Sequence, residues 1–68
     1  MTETEWEKAN GLLAQMPLSA AIRLACRAAR NAGAARPDRR AWWTRVYWQI
    51  EEIYAARCSG AEPAPIEW

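Results

Sequence analysis

Eight arginines, five tryptophans, two tyrosines and two cysteines carry the chemistry open to this chain, which has no histidine. Without imidazole there is no histidine metal site, no Ser-His-Asp or Cys-His nucleophile pair and no histidine titration near neutral pH. Cys26 and Cys58 lie 32 residues apart with no Cys-x-x-Cys spacing, too few thiols for a structural zinc site. The carboxylates of Asp38, Glu51 and Glu52 lack partners that would divide them into an acid and a base. Glu51 and Glu52 are adjacent, so on a helix they diverge by about 100°. Cys26 is expected on an apolar stripe, where a reduced thiol behaves as a small hydrophobe. This inventory argues against an enzyme and calls for no cofactor and no metal. It leaves recognition by guanidinium groups and aromatic rings.

The aromatic rings are concentrated in Trp42-Trp43-Thr44-Arg45-Val46-Tyr47-Trp48. At the helical angle of about 100° per residue, Trp42, Trp43, Val46, Ile50 and Ile53 share one face, with Tyr47 and Tyr54 on its edge. Trp43, Val46 and Ile50 are expected to be core. Trp42 fits either a core edge or a dimer seam. Trp48 falls nearly opposite, so burying the first face exposes it. A tryptophan placed there asks for a second surface, because Trp, Tyr and Arg are the types enriched at binding hot spots. Tyr47 lies between the faces and can pack its ring while its hydroxyl reaches a polar partner.

The net charge of +1 conceals a segregation. Residues 1–16 carry Glu3, Glu5, Glu7 and Lys8, a net of −2; residues 17–45 carry seven arginines against Asp38, a net of +6; residues 46–68 carry Arg57 against four glutamates, a net of −3. Arg23, Arg27 and Arg30 form a stripe at i, i+4 and i+7, continued by Arg36, Arg39, Arg40 and Arg45. The plain reading is a solvated face paired with glutamates. The functional readings are an acidic protein surface or nucleic-acid phosphate, and interleaved Trp and Arg also suit single strands. Residues 17–48 can be arranged as a helix-turn-helix, but residues 33–38 are long for its turn and adjacent tryptophans read a major groove poorly. The candidate partner-binding set is therefore Trp48, Tyr47, Trp42, Arg45, Arg40, Arg23, Arg27 and Arg30.

Three helices must position these residues. Thr2 with Glu5, and Thr4 with Glu7, both have capping-box spacing, and Trp6, Ala9, Leu12, Leu13 and Met16 follow on one face. Pro17 ends that helix and suits the first turn of the next. The second helix runs from Pro17 or Leu18 to Ala32, with Leu18, Ile22, Ala25, Cys26 and Ala29 as its apolar face, and stops at Gly33. The third starts near Pro37-Asp38 and runs to about Arg57 or Cys58, ended by Ser59-Gly60. Residues 1–60 thus form one helical domain, and residues 61–68, with Pro63 and Pro65, an extended tail. Its Ile66 and Trp68 are expected to dock on the bundle or on a partner chain.

At 68 residues and 7.7 kDa the core is small. Fifteen of the 35 hydrophobic residues counted in the 51% are alanine, which adds little to burial. A lone hairpin of the second and third helices gains too little to offset the entropy of ordering it. Pairing into a four-helix bundle, with the first helix and the tail as straps, is the simplest remedy. The expected fold is all-α, a helical hairpin with a short N-terminal helix that dimerises. The start has no basic segment followed by an apolar one, as a signal peptide would. The longest uncharged stretch, Ala9 to Ile22, is too short and too broken to cross a bilayer. A cytoplasmic protein with reduced thiols is expected.

The acidic capped start Thr2-Glu3-Thr4-Glu5-Trp6-Glu7, the length, and the aromatic helix from Trp42 to Tyr54 resemble the phage quorum-sensing anti-activator family. The resemblance covers residues 2–58 and rests on size and architecture. It implies a small helical-hairpin dimer. It also implies binding to the ligand-binding region of a LuxR-type transcription factor, which blocks DNA binding by that factor, and to the type IV pilus assembly ATPase. It assigns no individual residues. The sequence thus supports a protein-binding inhibitor of host proteins, with three alternatives. One is a small basic nucleic-acid-binding regulator. Another is an anti-CRISPR protein, whose DNA-mimicking version the +6 middle segment opposes. The third is a structural subunit whose aromatic residues serve self-assembly.

Overall fold

Thr4 opens the first helix in the computed structural model, which describes residues 3–60. Its hydroxyl oxygen accepts from the Glu7 amide at 3.1 Å and donates to the Glu7 carboxylate at 3.0 Å. One orphan N–H of α1 (Glu5–Gln15) is satisfied in this way, and Glu5 and Glu7 sit where the helix dipole favours negative charge. Of the two expected capping pairs this is the one described, since Thr2 lies outside the described residues. Pro17 denies Met16 the helical region. Met16 is accordingly extended, at φ −149° and ψ 159°, with its N–H on the Leu12 carbonyl.

Pro17 then caps α2 (Leu18–Ala32), which ends at Gly33 with φ 54° and ψ −154°. That backbone conformation is essentially restricted to glycine. Pro37 is the first residue of α3 (Pro37–Ser59), and Asp38 lies in its first turn. Gly60 closes α3 in the left-handed conformation, φ 79°, with its N–H on the Ala56 and Arg57 carbonyls.

The fold is all-α, with no strand among the described residues. α2 and α3 form the expected hairpin. α1 and α2 each lie along α3 and scarcely touch one another. Glu5 meets Arg45 and Asn10 meets Arg57, so α1 and α3 run in the same direction. The core combines Ala9 and Leu12 of α1, Ala21 and Ala25 of α2, and Val46, Ile50 and Ile53 of α3. Alanine on both outer helices lets them approach the larger side chains of α3 closely. α1 is therefore a contributor to the core, whereas the sequence reading had it as a strap.

Two expectations change, and one polar side chain joins the core. α2 meets α3 along Ala21 and Ala25, so Leu18 and Ile22 flank that contact half-buried and Cys26, placed on the apolar stripe from sequence, is exposed. The cause is the alanine-rich line: its small side chains permit the closest approach, which rotates Cys26 to the rim. Gln49 is buried at 1% exposure, because it stands one turn from both Val46 and Ile53 on the face that α3 turns inward. Trp43, expected in the core, is half-buried: its ring meets Trp42 edge-on at 5.1 Å and 88°, and the Lys8 ammonium stands 5.8 Å from its centre. The extended, docked reading of residues 61–68 lies outside the described residues.

Candidate functional site

Small residues on α2 face aromatic ones on α3 and leave a groove between them. Ala25, Cys26 and Ala29 form one wall, and Trp43, Thr44, Tyr47 and Trp48 the other, around a cavity of about 180 Å³. The groove runs on into a second cavity of about 350 Å³, which shares Cys26, Ala29 and Thr44 and adds Arg30, Gly33 and Arg40. The depression exists because α2 offers alanine, cysteine and glycine at successive turns where a larger side chain would fill the space.

The wall on α3 is apolar by local pairing. The Thr44 hydroxyl donates to the Arg40 carbonyl at 2.8 Å, so its polar group is satisfied within α3. The Tyr47 hydroxyl donates to Glu51 at 3.0 Å. That carboxylate raises the Tyr47 pKa above the ordinary value, first through the hydrogen bond and then through its charge. Trp48 stands at the rim, 51% exposed. Further along α3, Tyr54 is 44% exposed, and its pKa is raised by its hydrogen bond with Cys58.

Arg30 and Arg40 come from different helices to the charged end of this groove. Arg23 and Arg27 are exposed on α2 and fall within about 100° of Cys26 around the helix. The structure thus groups Tyr47, Trp48, Arg30 and Arg40 on one groove, with Arg23 and Arg27 along its outer flank.

Trp42 and Arg45, the other two members of the expected set, go to the opposite side. Arg45 Nε donates to Glu5 Oε2 at 2.8 Å across the α1–α3 contact. That hydrogen bond, aided by one from Trp42, holds the Glu5 carboxyl below the usual range against a partial opposing effect of burial. Glu3, Asp38, Arg39, Trp42 and Arg45 line a separate cavity of about 400 Å³. Both signs of charge meet there, and they largely neutralise one another.

The Glu5–Arg45 pair has a pH signature. A carboxyl whose folded pKa is depressed contributes stability that is present above its unfolded value, about 4.3, and is lost as pH falls through the folded value. Arg45 is 35% exposed and Glu5 20%, so solvent screening limits the contribution to about 1 kcal/mol. Arg45→Met is expected to lower stability by that amount in urea denaturation at pH 7. The difference from the unsubstituted chain should shrink as pH falls below about 4. A gap that stays constant with pH would deny the pair its role.

From the sequence Ala25 and Ala29 were read as part of an apolar helix face and Gly33 as a helix stop, none of them as a groove wall, and Thr44 was given no role. Their signal was the run of small residues at 25, 29 and 33, which reads equally well as a close helix contact. Among the described residues no helix is long and apolar enough to cross a membrane, and no three His, Cys, Asp or Glu side chains group to hold a metal ion. Comparison with known protein families, with curated proteins and with solved structures returns no match.

Proposed function

We propose that this chain is a small non-enzymatic inhibitor that binds another protein through the α2–α3 groove. The observation that carries the reading is the half-exposed Trp48 at the rim of an apolar groove whose far end holds Arg30 and Arg40. A large amphipathic ring beside a shallow apolar cleft is the composition of a hot spot, and guanidinium groups at its end select for carboxylates. The ligand is a segment with one or two apolar anchors followed by acidic residues. The resemblance to phage anti-activators supplies the targets: the ligand-binding region of a LuxR-type transcription factor and the pilus assembly ATPase, both met in the cytoplasm of a bacterial host.

The division of the arginines favours protein over nucleic acid. Arg45 is spent on Glu5, Arg36 stands 3.8 Å from Asp38, and Arg39 faces the α1 side with Glu3 and Asp38. A nucleic-acid backbone needs a continuous track of cations.

The test mixes the purified chain with a LuxR-type regulator bound to its operator, and separately with the ATPase. Stoichiometric release of the operator and co-elution with the ATPase are expected, with little dependence on salt. No effect on either protein, together with steeply salt-dependent binding of labelled single-stranded DNA, would replace this reading with the nucleic-acid one.

We also propose that the working unit is a homodimer. Among the described residues three of the seven buried hydrophobic ones are alanine, a small core for an independent monomer. Sedimentation at low micromolar concentration is expected to give twice 7.7 kDa; a stable folded species of 7.7 kDa would discard the dimer and leave the groove untouched.

A further inference from the structure

The two sides of α3 carry unlike charge, and the homodimer proposed above can use only one of them. We infer that the second copy docks on the α1 side, across a two-fold axis beside Trp42, with Asp38 of each copy facing Arg39 of the other. This rests on the dimer reading and adds its seam. The α2–α3 groove stays open to a partner.

Asp38, Trp42 and Arg45 follow one another at i, i+4 and i+7 on α3, and with Glu3 and Arg39 they line one cavity. Arg40, Thr44 and Tyr47 repeat that spacing two residues on, about 160° around the helix, and line the groove. One long helix therefore offers two separate stripes, and covering one leaves the other exposed.

A two-fold interface joins a patch to its own copy, so the patch must be complementary to itself. The groove side is not. Arg30 and Arg40 close the groove and Arg23 and Arg27 flank it, against Glu51, which is bonded to Tyr47. The ion pairs among the described residues, Lys8–Glu3, Arg36–Asp38 and Arg45–Glu5, involve none of these four arginines. Two copies joined there would set guanidinium against guanidinium, which opposes association.

The Trp42 side meets the requirement. Its cavity carries Glu3 and Asp38 against Arg39 and Arg45, two of each sign. Arg45 is bonded to Glu5 at 2.8 Å, and Glu3 stands 3.5 Å from Lys8. Asp38 has only Arg36 at 3.8 Å, and Arg39 has no ion-pair partner among the described residues. The charges left over are thus one anion and one cation, adjacent in sequence. Beside a two-fold axis such neighbours meet each other's copies, and the same contact is made twice.

Trp42 supplies the apolar centre. Its indole donates to Glu5, and its ring meets Trp43 edge-on at 5.1 Å. A ring held in this way loses little freedom on docking. An aromatic anchor rimmed by both signs of charge has the anatomy of a specific interface.

Sedimentation equilibrium of the full chain is run beside Arg39→Asp, Asp38→Arg and the exchange that combines both. Each single reversal sets like charges together at both equivalent contacts and is expected to weaken dimerisation about tenfold or more. The exchange should return it to within about threefold of the original. Asp38 and Arg39 diverge by about 100° on one helix, so a contact within one chain cannot imitate that rescue. Arg40→Asp, on the groove side, should not weaken the dimer. On dilution of the ¹⁵N-labelled protein the Trp42 indole signal should shift while that of Trp48 stays in place. Both substituted side chains are exposed, and circular dichroism checks that the helices persist. Where Asp38→Arg lowers helicity by placing a cation at a helix N-terminus, Arg39→Asp and the dilution series decide. A dimer unmoved by the reversals, a loss that the exchange does not restore, or a dilution shift at Trp48 overturns this seam and leaves the dimer reading in place. A chain of 7.7 kDa at every concentration overturns both.

Discussion

Trp48→Ala is expected to weaken partner binding by about 30-fold or more while the helices stay intact. Truncating a hot-spot tryptophan costs about 2 kcal/mol or more in binding, and each 1.4 kcal/mol is about tenfold in affinity. Trp48 is suited to that role by its place. It lines the groove with Tyr47 and Thr44 on its own helix and with Ala25, Cys26 and Ala29 on the neighbouring one, and it is 51% exposed. Because it stands outside the buried core, its removal should change folding stability by less than about 1 kcal/mol. The measurement is titration of the regulator or the ATPase with both proteins, beside urea denaturation of each. Equal affinities would remove Trp48 from the interface. Loss of binding together with loss of the dimer in sedimentation would give Trp48 to self-assembly.

Ile50→Ala should have the largest effect on folding. Ile50 is among the largest fully buried side chains, at 0% exposure, and lies where α1 and α2 both close on α3. Removing its outer carbons costs the lost transfer energy plus a cavity that alanine-lined neighbours cannot collapse to fill, about 3 kcal/mol in all. A domain of this size commands roughly 3–10 kcal/mol. The variant should therefore lose a third or more of its stability, with a urea midpoint lower by about 2 M and a helical signal that melts near ambient temperature. A change below about 1 kcal/mol would mean that the three-helix core is not the stabilising unit.

The helix boundaries were legible because each rests on local chemistry. Thr4 and Glu7 cap, Pro17 and Pro37 start helices, and Gly33 and Gly60 end them. The large apolar positions of α3 were equally plain, since Val46, Ile50 and Ile53 repeat at helical spacing. The phase of α2 was not. Six of its fifteen residues are alanine, and with alanine on almost every side the periodicity does not separate the Ala21–Ala25 line from the one through Cys26. Nor could the sequence pair Arg45 with Glu5, whose separation of 40 residues leaves no helical spacing to read. That pairing divides the arginines and tryptophans between two sides of α3, a division the sequence left open. The groove itself was hidden because it consists of what is missing. Small side chains register in a sequence as weak core, and only the facing aromatic residues turn them into a cleft.

α1 and α2 are joined almost wholly through α3, and this gives the molecule the logic of a hinge plate with two leaves. The two leaves meet in the shared side chains of α3, Val46, Ile50 and Ile53. Here one long helix separates two faces, one with the Glu5–Arg45 pair and one with the groove.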